Sequence, residues 1–490
     1  MMHNIVRHIK IMLGFVLVLS LSGCSGKDNS TPPDEDDPPG GKGKIQFYLT
    51  RGDESKRFNH EAALSFRQGV TAGYPVIEID TSQRFQEIEG FGAALTGSAA
   101  YLLHRKMDET ARRNILNELF DPQQGIGLTY LRLTMGASDF SLNDYTYNDL
   151  RAGGTDFALE KFSLAEDRED VLPVLKDILR IAPGITLMGS PWSPPAWMKT
   201  NGSLKGGRLK PECYAVYSNY FVKYIQAMHD EGIAIDAVTV QNEPLHFTAN
   251  YPCMEMQANE QLTFIKDNLG PAFSAAGLDT KIIVYDHNWD KPEYPLTILQ
   301  DPAARSFVSG SAFHGYAGDV SAMTQVHHAF PEKEIYFTEI SGGEWATNFA
   351  DNLMWNMRNI FIGATRNWSK NALLWNLALD EHNGPQNNGC SNCRGVITIN
   401  SVTGVVTRNV EYYALAHFSK FVRPGAYRLA TTVPGIAGET GAVAFQNQDG
   451  SKVMVIANYS GEIKGYTINQ NGRQFIVNVP SLSVATLVWN

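Results

Sequence analysis

The strongest constraint on how this chain folds is a repeat. From about Ile77 onward, short apolar runs alternate with longer stretches of helical periodicity, and the alternation recurs eight times before residue 418. The runs are "EIEGFGAAL", "TYLRLTM", "ITLMGS", "AVTVQNE", "KIIVYDHN", "SGSAFHGY", "EIYFTEI" and "NALLWNLAL". Between them lie helix-compatible stretches such as "DETARRNILNELF", "CYAVYSNYFVKYIQAMHDEG" and "ANEQLTFIKDNLGPAFSAAG". In "EDVLPVLKDILRI", Val171, Leu172, Leu175, Ile178 and Leu179 recur at helical spacing, so one face of that helix is buried. Apolar runs without alternation suit strands buried on both faces, as in parallel sheets. Eight strand–helix units predict an α/β fold of the (β/α)8 TIM-barrel kind with long loops; a doubly wound open sheet is the alternative.

After Phe421 the pattern becomes strand, turn, strand, with hairpin signals at "QDGS" and "QNGR". This predicts an appended antiparallel β-sandwich. The stretch from Ile45 to Asp80, with "IQFYLT" and "YPVIEID", supplies strands that join it. The expected organisation is a leader over 1–23, a tether over 24–44, sandwich-joining strands over 45–80, a catalytic barrel over 81–418 and the sandwich over 419–490.

The leader has Arg7 and Lys10 ahead of an apolar run from Ile11 to Leu21, too short to span a bilayer and proportioned like a signal peptide. It ends in Leu21-Ser22-Gly23-Cys24, which resembles a bacterial lipobox, so cleavage before Cys24 and acylation of its thiol are expected. The polar, acidic, Pro/Gly-rich "SGKDNSTPPDEDDPPGGKGK" that follows reads as a flexible tether. Together these predict an exported lipoprotein of a Gram-negative bacterium, held on the outer membrane at the cell surface. Cys213 and Cys253 lie far apart, and their pairing is open. Cys390 and Cys393 form a single C-x-x-C, a poor zinc site without a second pair; in an exported chain it is read as a small loop disulfide.

A net charge of −10 without a Lys/Arg cluster argues against nucleic acid as a partner. The aromatic share of 11% suits a surface on which sugars stack. No His/Asp cluster has metal-ligand spacing, so neither a metal nor an organic cofactor is expected. The chain is expected to act as a monomer.

Polar residues gather where the candidate strands end: "GASDFS", "SPWSPPAWMKTNG", "QNEP", "FHGYAGD", "TEISGG" and "WNLALDEHNG". In a barrel these ends share one mouth, where active sites are built. Glu243 ends the fourth strand and Glu339 the seventh, across that mouth from one another. Two carboxyl groups ~5–5.5 Å apart are what a retaining glycosidase uses, one as nucleophile and one as acid/base. The acid needs a raised pKa, whereas the nucleophile must stay ionised. The competing reading is that each glutamate caps a turn or pairs with Arg132 or Lys199.

"QNEP", "FTEISGG", "EGFGAALTGSAA", "SPWSPPAWMKTNGSLKGG", "WNLAL" and "HFSKFVRPGA" together resemble glycoside hydrolase family 30. The resemblance implies that Glu243 is the acid/base and Glu339 the nucleophile. It implies that Asp139 and Trp192 bind the hydroxyls of the glycone and that Asn242 bonds the sugar 2-OH. Trp375 would floor the site, Tyr316 and Arg132 would hold the nucleophile ionised, and His314 would line the pocket. Members resembling lysosomal glucosylceramidase carry His-Trp-Tyr where this chain has His314-Gly315-Tyr316. "YDHNW" and "GCSNCRGVITI" are more similar to the endo-β-1,6-glucanases, with Trp289 and the Cys390–Cys393 loop shaping the aglycone side. The implied activity is retaining hydrolysis of β-1,6-glucan. The alternatives are an exo-acting β-glucosidase or glucosylceramidase, and a non-catalytic glycan-binding lipoprotein.

Overall fold

Eight apolar runs become eight parallel strands. The structure, a computed structural model, describes residues 43–67, 73–433 and 438–490. The expected leader, Cys24 and all but the last two residues of the tether lie outside the described residues. The described chain enters through β1 (Lys44–Arg51), β2 (Asn59–Ser65) and the long β3 (Val76–Ile88). The barrel strands follow as β4 (Gly90–Leu95), β5 (Tyr130–Met135), β6 (Thr186–Pro191), β7 (Ala237–Thr239), β8 (Lys281–Asn288), β9 (Val308–His314) and β10 (Glu334–Glu339). After the two-residue β11 (Gly342–Gly343), β12 (Asn371–Leu374) completes the set. Neighbours pair in chain order, and β12 pairs back onto β4 with Asn371 opposite Gly90. The ring closes on its other side where Ile335 bridges Ser369. Every residue of β4 and β5 is buried, the physical reason their sequences run apolar rather than alternating.

Tyr130, Met188, Ala237, Ile283, Ala312, Tyr336 and Leu373 meet inside as one apolar cluster, a residue from each of seven barrel strands. At the amino ends of the strands, Lys281 and Lys370 share Glu89 and Glu334 at 2.6–2.9 Å, so the charges at this end are paired with one another. Backbone approach is tight at Gly92, where a Cβ would stand 1.8 Å from the Tyr130 carbonyl oxygen. Gly92→Ala is therefore expected to lower stability by about 3 kcal/mol, read as a shift in the denaturant midpoint; an unchanged midpoint would show that β4 and β5 can part.

The outer layer is helical. Helix Val171–Ile181 buries Val171, Leu172, Leu175 and Ile178 and leaves Leu179 half-buried. Helix Glu109–Phe120 begins on Asp108, whose side chain accepts from Ala111 N–H at 2.8 Å. The stretch from Ala258 to Ala276 departs from a uniform helix by a π turn over Ile265–Leu269. Pro271 lies just beyond it, has no N–H to give the turn behind it, and so disturbs the regular ladder there.

Around the barrel's carboxyl rim, β11 pairs with β14 (Cys393–Arg394), while β13 (Ala378–Leu379), β15 (Ile397–Ile399) and β16 (Val406–Arg408) form a small sheet. The last strands are β17 (Ala426–Thr431), β18 (Thr440–Gln446), β19 (Lys452–Asn458), β20 (Lys464–Gln470), β21 (Arg473–Val479) and β22 (Ser483–Trp489). They join β1–β3 in one hydrogen-bonded sheet of order β2-β1-β22-β19-β18-β17-β3-β20-β21, antiparallel except where β20 runs parallel to β3. The sandwich closes over Ile45, Ile77, Leu429, Met454, Phe475 and Trp489. It meets the barrel at helix Val410–Ser419, buried along its whole length. There His417 sits between Thr486 Oγ1 and Thr50 Oγ1, each at 2.8 Å. Among the described residues no helix is long and apolar enough to cross a membrane.

Candidate active site

The side chains at the carboxyl mouth converge on Arg132, from β5, which is fully buried. Its Nη1 bonds Glu339 Oε2, its Nη2 donates to Asn242 Oδ1 and Asp286 Oδ2, each at 2.7 Å, and its Nε donates to Ser190 Oγ at 3.1 Å. The guanidinium also lies 5.0 Å from the Trp192 ring and 5.4 Å from the Trp375 ring. Those two indoles stack on each other at 5.0 Å with a 20° interplanar angle. They belong to an apolar cluster with Ala94, Phe140, Leu379 and Cys393.

The fourth strand leaves the ladder early. β7 ends at Thr239, and Gln241, Asn242 and Glu243 follow it as a turn tied to its neighbours. Gln241 Nε2 donates to Trp192 O at 2.7 Å, Asn242 N–H to Pro191 O at 2.9 Å and Glu243 N–H to Asp286 O at 3.0 Å. Glu243 is left-handed, with φ of 44°, a conformation an L side chain adopts only where its surroundings impose it. Its Oε1 meets His314 Nδ1 at 2.9 Å, and His287 Nε2 lies at 3.9 Å.

Glu339 is the last residue of β10, and Tyr316 donates its hydroxyl to Glu339 Oε1 at 3.0 Å. His314, fully buried at the end of β9, bridges Glu243 and Asp286 and lies 3.9 Å from Glu339 Oε1. One oxygen of Glu243, one of Glu339 and a ring nitrogen of His314 fall within 4.8 Å of one another. That is the short separation of a retaining pair; the inverting arrangement needs ~6.5–9.5 Å to admit a water. The same three side chains are the one described group whose donor atoms could surround a metal ion. Each is already hydrogen-bonded within the site, and the Arg132 cation lies against Glu339.

The charge balance differs from the sequence expectation of an acid with a raised pKa. Burial opposes ionisation of Glu243, but the hydrogen bond and positive charge of His314 outweigh it and pull the carboxyl well below the usual range. Burial likewise opposes the charge on His314; Glu339, Asp286 and Glu243 overcome that and hold the imidazole up at about 9. Glu339 is raised, by burial and by the negative charges of Glu243 and Asp286, against the pull of His314 and Arg132. The two shifts run in opposite directions across the 2.9 Å contact, so they favour an imidazolium facing a carboxylate there. Burial takes His287 down to about 4, so it is neutral.

Asp139 faces this group with a buried Oδ1 that has no hydrogen-bond partner. Burial, with repulsion from Glu339 and Glu243, raises its pKa well above the carboxylate range. The loop after β13 holds it there: Asn387 N–H donates to Asp139 O at 2.7 Å, and a Cβ on Gly389 would stand 2.5 Å from Asp139 Cβ. Cys390 and Cys393 are joined by a disulfide in this loop, and β14, which begins at Cys393, pairs with β11 beyond Glu339. Cys213 and Cys253 are separate buried thiols.

Nine of the sequence candidates thus meet at one mouth: Arg132, Asp139, Trp192, Asn242, Glu243, His314, Tyr316, Glu339 and Trp375. Trp289 has no described ring contact or hydrogen bond with these nine; it packs on Phe337 at 5.4 Å and lies against Gly315, where a Cβ would approach its Cη2 to 3.3 Å. A larger residue at 315 has no room while that indole stays. Asp286 and His287, in contact with the core of the site, were missed by sequence reasoning. Their signal was the same as elsewhere, an apolar run turning polar at "YDHN".

A closed parallel barrel with a short-spaced carboxylate pair at its carboxyl mouth defines a glycoside hydrolase of the retaining kind. The chain matches the glycosyl hydrolase family 30 TIM-barrel domain over residues 88–422 and the family 30 beta sandwich domain over 425–487, and it belongs to that family. It is 38% identical over 400 residues to an endo-1,6-beta-D-glucanase of Neurospora crassa, covering 79% of this chain and 81% of that one. It is 30% identical to the lysosomal acid glucosylceramidase of Mus musculus, over 84% and 83% of the two chains. A solved endo-beta1,6-glucanase superposes with a TM-score of 0.85 at 37% identity, covering 91% of this chain and 99% of that one.

Proposed function

We propose that this enzyme is an endo-acting β-1,6-glucanase, exported as a surface lipoprotein through Cys24, that cleaves its substrate by double displacement. The observation that carries the chemistry is the approach of the Glu243 and Glu339 oxygens to within 4.8 Å. Glu339 attacks the anomeric carbon, and the bond to the leaving oxygen breaks with its electron pair going to that oxygen. Glu243 delivers a proton there. Water, losing a proton to Glu243, then attacks the glycosyl-enzyme, and net retention results. Arg132 and Tyr316 orient the two Glu339 oxygens, and Asn242, held by Arg132, presents its amide to the sugar 2-OH. Asp139 offers its unpartnered oxygen to the glycone, and the Trp192–Trp375 pair backs the sugar. The linkage rests on similarity to endo-1,6-β-glucanases at 37–38% identity.

Digestion of a linear β-1,6-glucan is the test. Mixed oligosaccharides are expected in the first minutes, with no release from β-1,3- or β-1,4-glucans. Glucose alone from the outset would mark an exo enzyme, and release from glucosylceramide instead would replace the polysaccharide reading.

A further inference from the structure

We infer that Asp286 is a positioning residue that ties the two halves of the machinery together: it holds His314 so that His314 and Glu243 share one transferable proton, and it holds Arg132 against Glu339. The inference rests on the acid/base and nucleophile roles proposed above.

Asp286 is fully buried, and both its oxygens are used on both sides of the site. Oδ2 accepts from Arg132 Nη2 and Thr239 Oγ1, each at 2.7 Å, with Ser190 Oγ at 3.4 Å. Oδ1 accepts from Thr338 Oγ1 at 2.7 Å and from His314 Nε2 at 3.0 Å. Its backbone carbonyl also takes the Glu243 N–H. A residue present only to neutralise Arg132 would need Oδ2 alone. The second oxygen, directed at the imidazole that touches Glu243, requires another explanation.

The backbone is built to bring that carboxylate inward. Tyr285 and Asp286 both adopt left-handed conformations, with φ of 73° and 59°, where the β8–β9 register shifts. Ile283 points into the barrel, so strict alternation would send Tyr285 inward and Asp286 out. The bulge reverses this: Tyr285 joins the outer core and packs on Tyr294 at 5.1 Å, and Asp286 enters the site. Left-handed backbone at two consecutive non-glycine residues is strained, and it persists only where the surrounding structure over-determines it.

With Nε2 donating to Asp286, His314 turns Nδ1 to Glu243 Oε1, so the imidazole lies between two carboxylates. The other charged and titratable groups facing it are Glu339 Oε1 at 3.9 Å, Arg132 through their shared Asp286 contact, and the rings of His287 and Tyr316, each at 6.3 Å. Held near 9 by these anions, the His314 proton is available at neutral pH. The Glu243–His314 pair then carries the one proton that the first half-reaction needs, while Glu339 stays free to attack. The leaving oxygen takes that proton from the pair, and the attacking water returns one to it.

Asp286→Asn in the full chain tests this. The amide places a donor where an acceptor stood and removes the anion that retains the His314 proton, so the pair releases its proton at lower pH. On an aryl β-gentiobioside with a poor leaving group, kcat is expected to fall about 100-fold with KM little changed. The alkaline limb of the pH profile is expected to move about one unit toward acid. With a dinitrophenyl leaving group, which departs without a proton, the glycosylation rate is expected to fall about tenfold, the share due to the loosened Arg132–Glu339 pair. Equal losses on both substrates with an unmoved alkaline limb would overturn the linking role and leave the glycosidase reading intact. Failure of the wild-type enzyme to turn over either substrate would instead overturn the reading itself. Nitrogen NMR of the wild-type histidines gives a check that does not depend on Asp286→Asn folding: the imidazole whose signal alone disappears in His314→Gln is expected to be doubly protonated at pH 7.5. A neutral imidazole there would also overturn the inference.

Discussion

Glu339→Ala is expected to lower kcat on β-glucan by roughly 10⁵-fold, with azide restoring turnover as an α-glycosyl azide. Deleting the carboxylate removes the group that forms the covalent intermediate, and no neighbour replaces it: Arg132 and Tyr316 are hydrogen-bond donors to that position, not nucleophiles. The vacated space between those donors accepts a small anion, which attacks from the nucleophile's face and so inverts the sugar. The fold should tolerate the change. It relieves repulsion among Glu243, Glu339 and Asp286, and Arg132 keeps its bonds to Asp286 and Asn242. Chromatography and NMR of the azide product give the readout. A loss below 100-fold, or a β-azide, would remove Glu339 from this role.

The second large effect is at Glu243, and it should depend on the leaving group. On glucan, whose departing oxygen needs a proton, Glu243→Ala is expected to cost about 10³-fold in kcat/KM. A dinitrophenyl leaving group needs no proton. Glycosylation should then remain fast, and the glycosyl-enzyme should accumulate because water has lost its base. A burst of nitrophenolate followed by a slow steady state is the expected trace. Azide, needing no base, should accelerate the slow phase and give a β-glycosyl azide, the retained product. An inverted product here, with a retained one from Glu339→Ala, would exchange the two roles.

How much of this was legible from the residues differs from element to element. The barrel strands were readable because parallel strands buried on both faces keep no polar side, as all of β4 and β5 show. The ends of those strands were readable for the complementary reason: where the chain leaves the core, polar side chains return, and Glu243, Glu339 and Asp139 are all found at that mouth. Trp289 was expected on the aglycone side, but an indole one residue past a strand can face substrate or fill the space against Gly315 equally well by sequence. Its neighbours Phe337 and Gly315 decide for the interior.

Local periodicity also hid Asp286. Alternation counted from Ile283 points the carboxylate away from the site, and only the register shift against β9 turns it in. No nearest-neighbour signal in "IIVYDHN" announces that shift, because it depends on pairing with a strand supplied some thirty residues later.

The sequence by itself determined the strand–helix repeat, the change to an antiparallel module after Phe421 and the two glutamates, because apolar periodicity and strand-ending residues are local properties. Tertiary structure alone decided which side chains face one another and where the proton rests. Arg132, Glu243, Asp286, His314 and Glu339 come from five separate barrel units, and their charges set one another's protonation only once the closed ring brings them within hydrogen-bond reach.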